Sequence, residues 1–291
     1  MNLLRDTKQA LEKYGLKTAK SLGQNFLIDD SVLFDTIELS DINSHDICLE
    51  IGAGAGVLTK ALSEYCKRVV SIEIDKRIFP LLNEVLFGKT NVTLINKDIL
   101  KTDLAEEFSN LSLSEFPVKV VANLPYYITT PIIMKLLSSK LDIIQMTLMM
   151  QKEVADRIDA NPGTKAYGSL SVYLKYFCTS KMLRTVPASC FYPRPGVDSA
   201  LILLKKRTVK AVEVLDEQEF FKIVRAGFAK RRKTLLNSLN GYIDLRSKDD
   251  IKKLLAEADI DYMRRGETLT IDEFARLSNV YVRDFKQKGN I

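Results

Sequence analysis

The chain of 291 residues contains one histidine, His45, and that scarcity excludes much chemistry. Ser-His and Cys-His mechanisms need an imidazole beside the nucleophile. His45 lies in a polar turn ahead of an apolar run, where a surface role is expected. None of the four cysteines, Cys48, Cys66, Cys178 and Cys190, form a Cys-x-x-Cys pair. Three adjoin apolar or aromatic residues, so buried free thiols are expected rather than a zinc site. No apolar run approaches the ~18 residues of a membrane span. Segment 1–15 mixes both charge signs and lacks a signal-peptide core, which makes the cytoplasm the expected compartment. Internal repeats and low-complexity tracts do not stand out.

What is present is an ordinary globular composition, 46% hydrophobic and 27% charged, with enough chain for one large domain and a small one. Nearly continuous apolar runs at 46–52, 68–75, 91–98, 118–125 and 143–151 read as strands buried on both faces. Helical patterns separate them, as in "GVLTKALSEYC", "RIFPLLNEVLFG" and "TPIIMKLLSS". This alternation predicts an α/β doubly wound, Rossmann-like sheet built from right-handed βαβ units. A pair of runs at 181–187 and 199–206 predicts an antiparallel hairpin at one sheet edge. After Lys210 the patterns are amphipathic helices only, which predicts a domain boundary near 205–215 and a small C-terminal all-helical domain. The expected division is 1–207 and 208–291.

Three strand ends carry chemistry. "LEIGAGAG" follows the first strand and opens a helix, so Gly52, Gly54 and Gly56 let the backbone turn tightly and approach a ligand. The spacing is Gly-x-Gly-x-Gly, not the Gly-x-Gly-x-x-Gly of nicotinamide sites, and the acid Glu50 just ahead would repel a pyrophosphate. A turn in an unrelated α/β protein also fits this loop. Glu73 ends the second strand, where a carboxylate accepts from ribose hydroxyls in Rossmann-like sites. Asp98 ends the third, where it can accept from an adenine amine. Each acid alone is as well read as a helix cap or turn former. Together with the glycines they fit a nucleoside with a positive tail, S-adenosylmethionine.

"NLPY" ends the fourth strand, in the same crevice. A nucleobase amine offers two N–H donors. The Asn123 side-chain oxygen can accept one, and the Leu124 carbonyl, positioned by Pro125, the other. Both pull the hydrogens out of the ring plane and favour a tetrahedral, nucleophilic nitrogen. Tyr126 can stack on the base and favour the cationic charge that develops. A Pro-containing turn with a buried Tyr is the bland alternative.

Five segments, "SLGQNFLID", "LEIGAGAGVLT", "IEID", "NLPYYITTPII" and "FYPRPGVDSALI", occur in an order that resembles the KsgA-type ribosomal RNA adenine dimethyltransferases. The resemblance covers essentially the whole chain. It implies a class I methyltransferase domain at 1–207, with an N-terminal arm, followed by an RNA-contacting helical domain at 208–291. The implied reaction is dimethylation of the N6 amines of two adjacent adenosines in a hairpin near the 3′ end of small-subunit rRNA, a step in small-subunit biogenesis. S-adenosyl-L-methionine would be the methyl donor, without a metal. Motif matching places Asn25, Leu27, Gly52, Glu73, Asp98 and Asn123 at the cofactor, and Asn123, Leu124, Pro125 and Tyr126 at the reacting amine. Phe191 would be the second aromatic sandwiching the target base. The implied partner is small-subunit rRNA within a pre-ribosomal particle, met by a monomer and not at a membrane.

Net charge is +6, and the window from Lys205 to Lys233 holds ten Lys or Arg against four Asp or Glu. Lys230, Arg231, Arg232 and Lys233, read as a helical stretch, are expected to contact RNA phosphates, since not all four can face a core. A solvated helix face is the alternative. Three other functions stay open at this stage. They are a resistance-type methyltransferase of large-subunit RNA, a DNA adenine methyltransferase, and a non-catalytic assembly factor on the same fold.

Overall fold

The computed structural model of the protein describes residues 3–16, 18, 22–241 and 247–286. Ser21, the first residue of the "SLGQNFLID" segment, lies outside them. Helix α1 (Leu3–Lys13) and strand β1 (Phe26–Leu27) precede α2 (Asp30–Leu39). Then come β2 (Ile47–Ile51), α3 (Val57–Tyr65), β3 (Arg68–Glu73), α4 (Phe79–Val85), β4 (Val92–Asn96), α5 (Leu104–Asn110), β5 (Val118–Asn123), α6 (Thr129–Ser138) and β6 (Ile143–Gln151). Helices α7 (Lys152–Asp159) and α8 (Ser169–Phe177) follow, then β7 (Cys178–Val186), β8 (Phe191–Tyr192) and β9 (Ser199–Lys206). The rest is helical: α9 (Glu217–Ala229), α10 (Leu235–Leu239), α11 (Lys248–Glu257) and α12 (Ile271–Val280).

The main sheet has the order β4-β3-β2-β5-β6-β9-β7. Strands β2 to β6 are mutually parallel, and β9 runs antiparallel to β6. The chain moves outward from β2 to β4, then returns to place β5 on the other side of β2. The carboxyl ends of β2 and β5 therefore flank a switch point, where open α/β sheets bind ligands. Every residue of β2 is buried, as a strand covered on both faces requires. Outermost β4 is only partly buried along its length, as an edge strand is. The two edge runs expected to pair do lie side by side, as β9 and β7.

Capping fixes where the helices begin. Asp29 accepts from the Ser31 and Val32 amides at the start of α2, and Asp103 from Ala105 and Glu106 at the start of α5. Thr270 and Glu273 form a reciprocal capping box on α12.

Two compact units emerge. One comprises Met1–Ala155 and Lys181–Lys206, the other Asp156–Ser180 and Arg207–Ile291. Segment 156–180, placed with the first domain from sequence, packs instead with the helical unit. The reason is its aromatic side chains: Tyr167, Tyr173, Tyr176 and Phe177 join Phe220, Phe221, Phe228 and Phe274 in one core. Within that core the backbone at Gly266 lies so close to α9 that a Cβ there would sit 2.3 Å from the Gly227 carbonyl oxygen.

The basic run does not lie on a helix. Helix α9 ends at Ala229, and Lys230–Lys233 form a turn closed by the Lys233 amide on the Lys230 carbonyl, 2.8 Å. The Leu235 amide that would extend α9 is given to the Arg264 carbonyl at 2.7 Å instead.

Candidate active site

A cavity of about 220 Å³ opens at the switch point, lined by the ends of β2, β3 and β5, the Lys97–Leu100 turn after β4, and residues 22–27 of the arm. Sequence-predicted Asn25, Leu27, Gly52, Glu73, Asp98, Asn123, Leu124, Pro125 and Tyr126 all line it. Gly52 has φ +81°, and a Cβ there would meet only the Asn123 carbonyl oxygen, at 3.9 Å. The glycine turn thus leaves open space where a side chain would stand.

Three carboxylates face this space. Glu73 is nearly buried, and its oxygens accept the Gly54 amide at 3.0 Å and the Asp75 amide at 2.8 Å. Burial still pushes its pKa up despite those amides. Asp98 is more open. One oxygen takes the Leu100 amide at 2.9 Å, and the other stands 4.0 Å from the Lys101 ammonium. Glu50 is 1% exposed, and its Oε2 accepts from Thr59 at 2.5 Å and Ser71 at 2.6 Å. Its Oε1 is buried with no hydrogen-bond partner among the described residues. Burial pushes this carboxyl up to about 7, against the pull of the two hydroxyls. An orphaned buried carboxylate oxygen is costly unless a donor or cation completes it.

At the end of β5 the Asn123 side-chain amide donates to the Asn25 carbonyl at 3.1 Å. That bond turns Oδ1 into the remaining acceptor of the side chain. The Leu124 amide is held by the Met149 carbonyl at 2.9 Å, and no donor among the described residues takes the Leu124 carbonyl. The Tyr126 hydroxyl shares a 2.5 Å hydrogen bond with Ser199 Oγ, and burial raises the phenol pKa. Two acceptors and an anchored ring therefore line the same cavity as the carboxylates.

A family model described as ribosomal RNA adenine dimethylase matches residues 15–277. The chain belongs to that family. A ribosomal RNA small subunit methyltransferase A of Bacillus mycoides is 51% identical over 278 residues, covering 95% of each chain. A dimethyladenosine transferase of Plasmodium falciparum superposes with a TM-score of 0.71 at 29% identity, covering 87% of this chain and 95% of its own. The 23S rRNA methyltransferase ErmE superposes at 0.69 with 24% identity, over 89% of this chain and 100% of its own, a likeness of fold alone.

Two dimethylase segments far apart in sequence meet in the structure. Strand β1, from "QNFL", pairs antiparallel with β8, from "FYPRPG", setting Phe26 opposite Tyr192 and Leu27 opposite Phe191. Phe191 is not brought to the cavity. It is 2% exposed and clusters with Leu27 and Met149, which do line the cavity. Pairing with β1 directs the ring inward instead.

Lys230, Arg231, Arg232 and Lys233 are all exposed. Arg231 pairs with Glu267 at 3.2 Å and bonds the Lys165 carbonyl, and Lys230 reaches the Asn237 carbonyl at 3.3 Å. Arg232 and Lys233 have no ion pair or hydrogen-bonded side chain among the described residues.

Several site residues were not picked out from sequence. Gln24 donates to Asp75 at 2.9 Å and ties the arm to the end of β3, while the neighbouring Arg77 guanidinium holds the Asp75 pKa low. The Tyr127 ring packs beneath Gly23, whose φ of +60° and lack of a Cβ permit the approach. Ser199 anchors Tyr126. The signals were inside the quoted segments, but which partner each residue would meet was not.

Proposed function

We propose that this protein is an S-adenosylmethionine-dependent rRNA (adenine-N6,N6)-dimethyltransferase. Its substrate would be two adjacent adenosines in a hairpin near the 3′ end of small-subunit rRNA. The supporting observation is the Asn123 amide, fixed through Nδ2 so that its oxygen and the Leu124 carbonyl are both acceptors at one strand end.

The cavity fits the cofactor. Gly52 leaves space, Glu73 has lone pairs for ribose hydroxyls, and an Asp98 oxygen can take the adenine amine. The unpartnered Glu50 Oε1 suits the ammonium of the methionine tail. Asn25 and Leu27 complete the cover from the arm. Bound there, S-adenosylmethionine supplies a methyl group made electrophilic by its sulfonium.

The protein's own task is to present the nucleophile. Asn123 Oδ1 and the Leu124 carbonyl each accept one N–H of the adenosine amine, drawing its lone pair out of conjugation. Tyr126, held by Ser199, supplies a ring face on which an unstacked base rests. No general base is required before attack, because a neutral amine is already the nucleophile. Phe191, packed with Leu27 and Met149 of the cavity wall, is the second aromatic proposed for the stack.

The reading includes action in the cytoplasm, as a monomer, on a pre-ribosomal particle, with Arg232 and Lys233 on RNA phosphates. No described helix is long and apolar enough to cross a membrane. Likeness to small-subunit enzymes at 51% identity favours this substrate over large-subunit RNA. Primer extension across small-subunit rRNA, after incubation with protein and cofactor, tests the reading.

A further inference from the structure

Beside the crevice lies a second cleft, of about 650 Å³, that the residues discussed so far leave unused. Its walls include Gln151, Lys152 and Glu153 at the end of β6, and Arg194, Val197 and Asp198 of the loop between β8 and β9. The cleft adjoins the reaction site. Gln151 pairs in register with Ser199, which anchors Tyr126, and Met149, two residues earlier on β6, lines the crevice. At ~3.3 Å per residue that separation is roughly 7 Å.

Arg194 stands between Pro193 and Pro195, is exposed, and has no ion pair or hydrogen-bonded side chain among the described residues. The flanking prolines limit the loop's backbone freedom, so less order is lost when the guanidinium binds. Asp198 is already engaged: its Oδ1 accepts the Ala188 amide at 2.9 Å and its carbonyl the Lys152 amide at 3.0 Å. Glu153 is the carboxylate left over. Two cations and two acids make a cleft with no net preference for a free anion. A ligand with a phosphate and an amine-bearing ring would suit both signs. Guanidinium forks match phosphate oxygens, carboxylates accept from exocyclic amines, and the half-exposed Val197 offers an apolar wall.

We infer that this cleft seats the nucleotide adjoining the target adenosine, with its phosphate on Arg194 and its base amine toward Glu153. The inference rests on the methyltransferase reading and adds a positioning site for the RNA strand. Holding the neighbour would fix the target base as it leaves its stack, so the effect should fall on RNA affinity and not on the cofactor.

The test is steady-state methylation of small ribosomal particles by wild type, Arg194→Gln and Arg194→Lys, with cofactor affinity measured by calorimetry. Losing a charge-assisted phosphate contact should raise the KM for particles about ten- to hundredfold, with cofactor affinity unchanged. Arg194→Lys, which keeps a point charge without the fork, should fall between. Glu153→Gln should raise the same KM more modestly. An Arg194→Gln KM within twofold of wild type would overturn the inference, as would loss of cofactor affinity in that variant. If wild type itself transfers no methyl groups to the particles, the proposed function falls and this inference with it.

Discussion

Asn123 and Asn25 are joined by a 3.1 Å hydrogen bond from the side-chain amide of one to the carbonyl of the other. This bond links the end of β5 to the arm and dictates which Asn123 atom faces a substrate. Asn123→Ala should remove most turnover while folding stability changes little, because Asn123 is only partly buried. Asn123→Asp keeps an acceptor but loses the donor to Asn25, so its arm should loosen and its cofactor affinity fall. Single-turnover rates and calorimetry on both variants separate the two roles. Equal defects in both measurements for both variants would count against them.

Glu50 gives a pH dependence of defined sign. Its carboxyl is pushed up to about 7 in the folded protein. Between the ordinary value near 4.5 and that point, the folded state holds a proton the unfolded chain has lost. Stability of the cofactor-free protein should therefore fall as pH rises through this window, by at most about 3 kcal/mol. Glu50→Gln should flatten that decline. Melting temperatures across the window check it; parallel curves for the two proteins would remove Glu50 as the cause.

Gly52→Ala places a methyl group in the cavity and strains a backbone with φ +81°. A stability loss of about 1–2 kcal/mol is expected from the conformation alone. Cofactor affinity should drop further than stability does. Isothermal titration of folded variant protein decides this, and undiminished affinity would place the ligand elsewhere.

Much of the sheet was legible because a strand buried on both faces leaves a continuous apolar run, as in β2 and β5. The crevice carboxylates were legible because parallel strands all deliver their ends to one side. Helix α8 was not, since in "SLSVYLKYF" Leu170, Val172, Leu174 and Tyr176 alternate with Ser169, Ser171, Tyr173 and Lys175, a strand-like period that the aromatic core overrides. The break after Ala229 was also hidden. Lys and Arg are good helix formers, and the interruption comes from Arg264, more than thirty residues away in sequence. Long-range partnerships such as Gln24 with Asp75, Ser199 with Tyr126 and Leu27 with Phe191 cannot be read from local spacing. The last of these accompanies the burial of Phe191 outside the cavity lining, where the resemblance implied a place for it.

Among the four cations after α9, Arg232 and Lys233 are those not engaged within the described residues. Replacing both with Gln should flatten the salt dependence of RNA binding by about 1.4–1.8 in log–log slope, on the scale of 0.7–0.9 per phosphate. Cofactor affinity should be untouched. Unchanged slopes in filter binding would mark the turn as an ordinary solvated surface.

In the helical unit, Gly266→Ala would drive a methyl group into the Gly227 backbone. Relief requires moving α9 or the turn at 266–268. A loss of about 1–3 kcal/mol is expected, read by denaturant unfolding. A variant as stable as wild type would contradict the close approach.

The most direct measurement is methyl transfer from labelled S-adenosylmethionine to purified small and large ribosomal subunits, by wild type and Asn123→Ala, with modified positions mapped by primer extension. The expected result is label on the small subunit only, stops at two adjacent adenosines near the rRNA 3′ end, and near-complete loss in the variant. Label on the large subunit, or a variant as active as wild type, would contradict it.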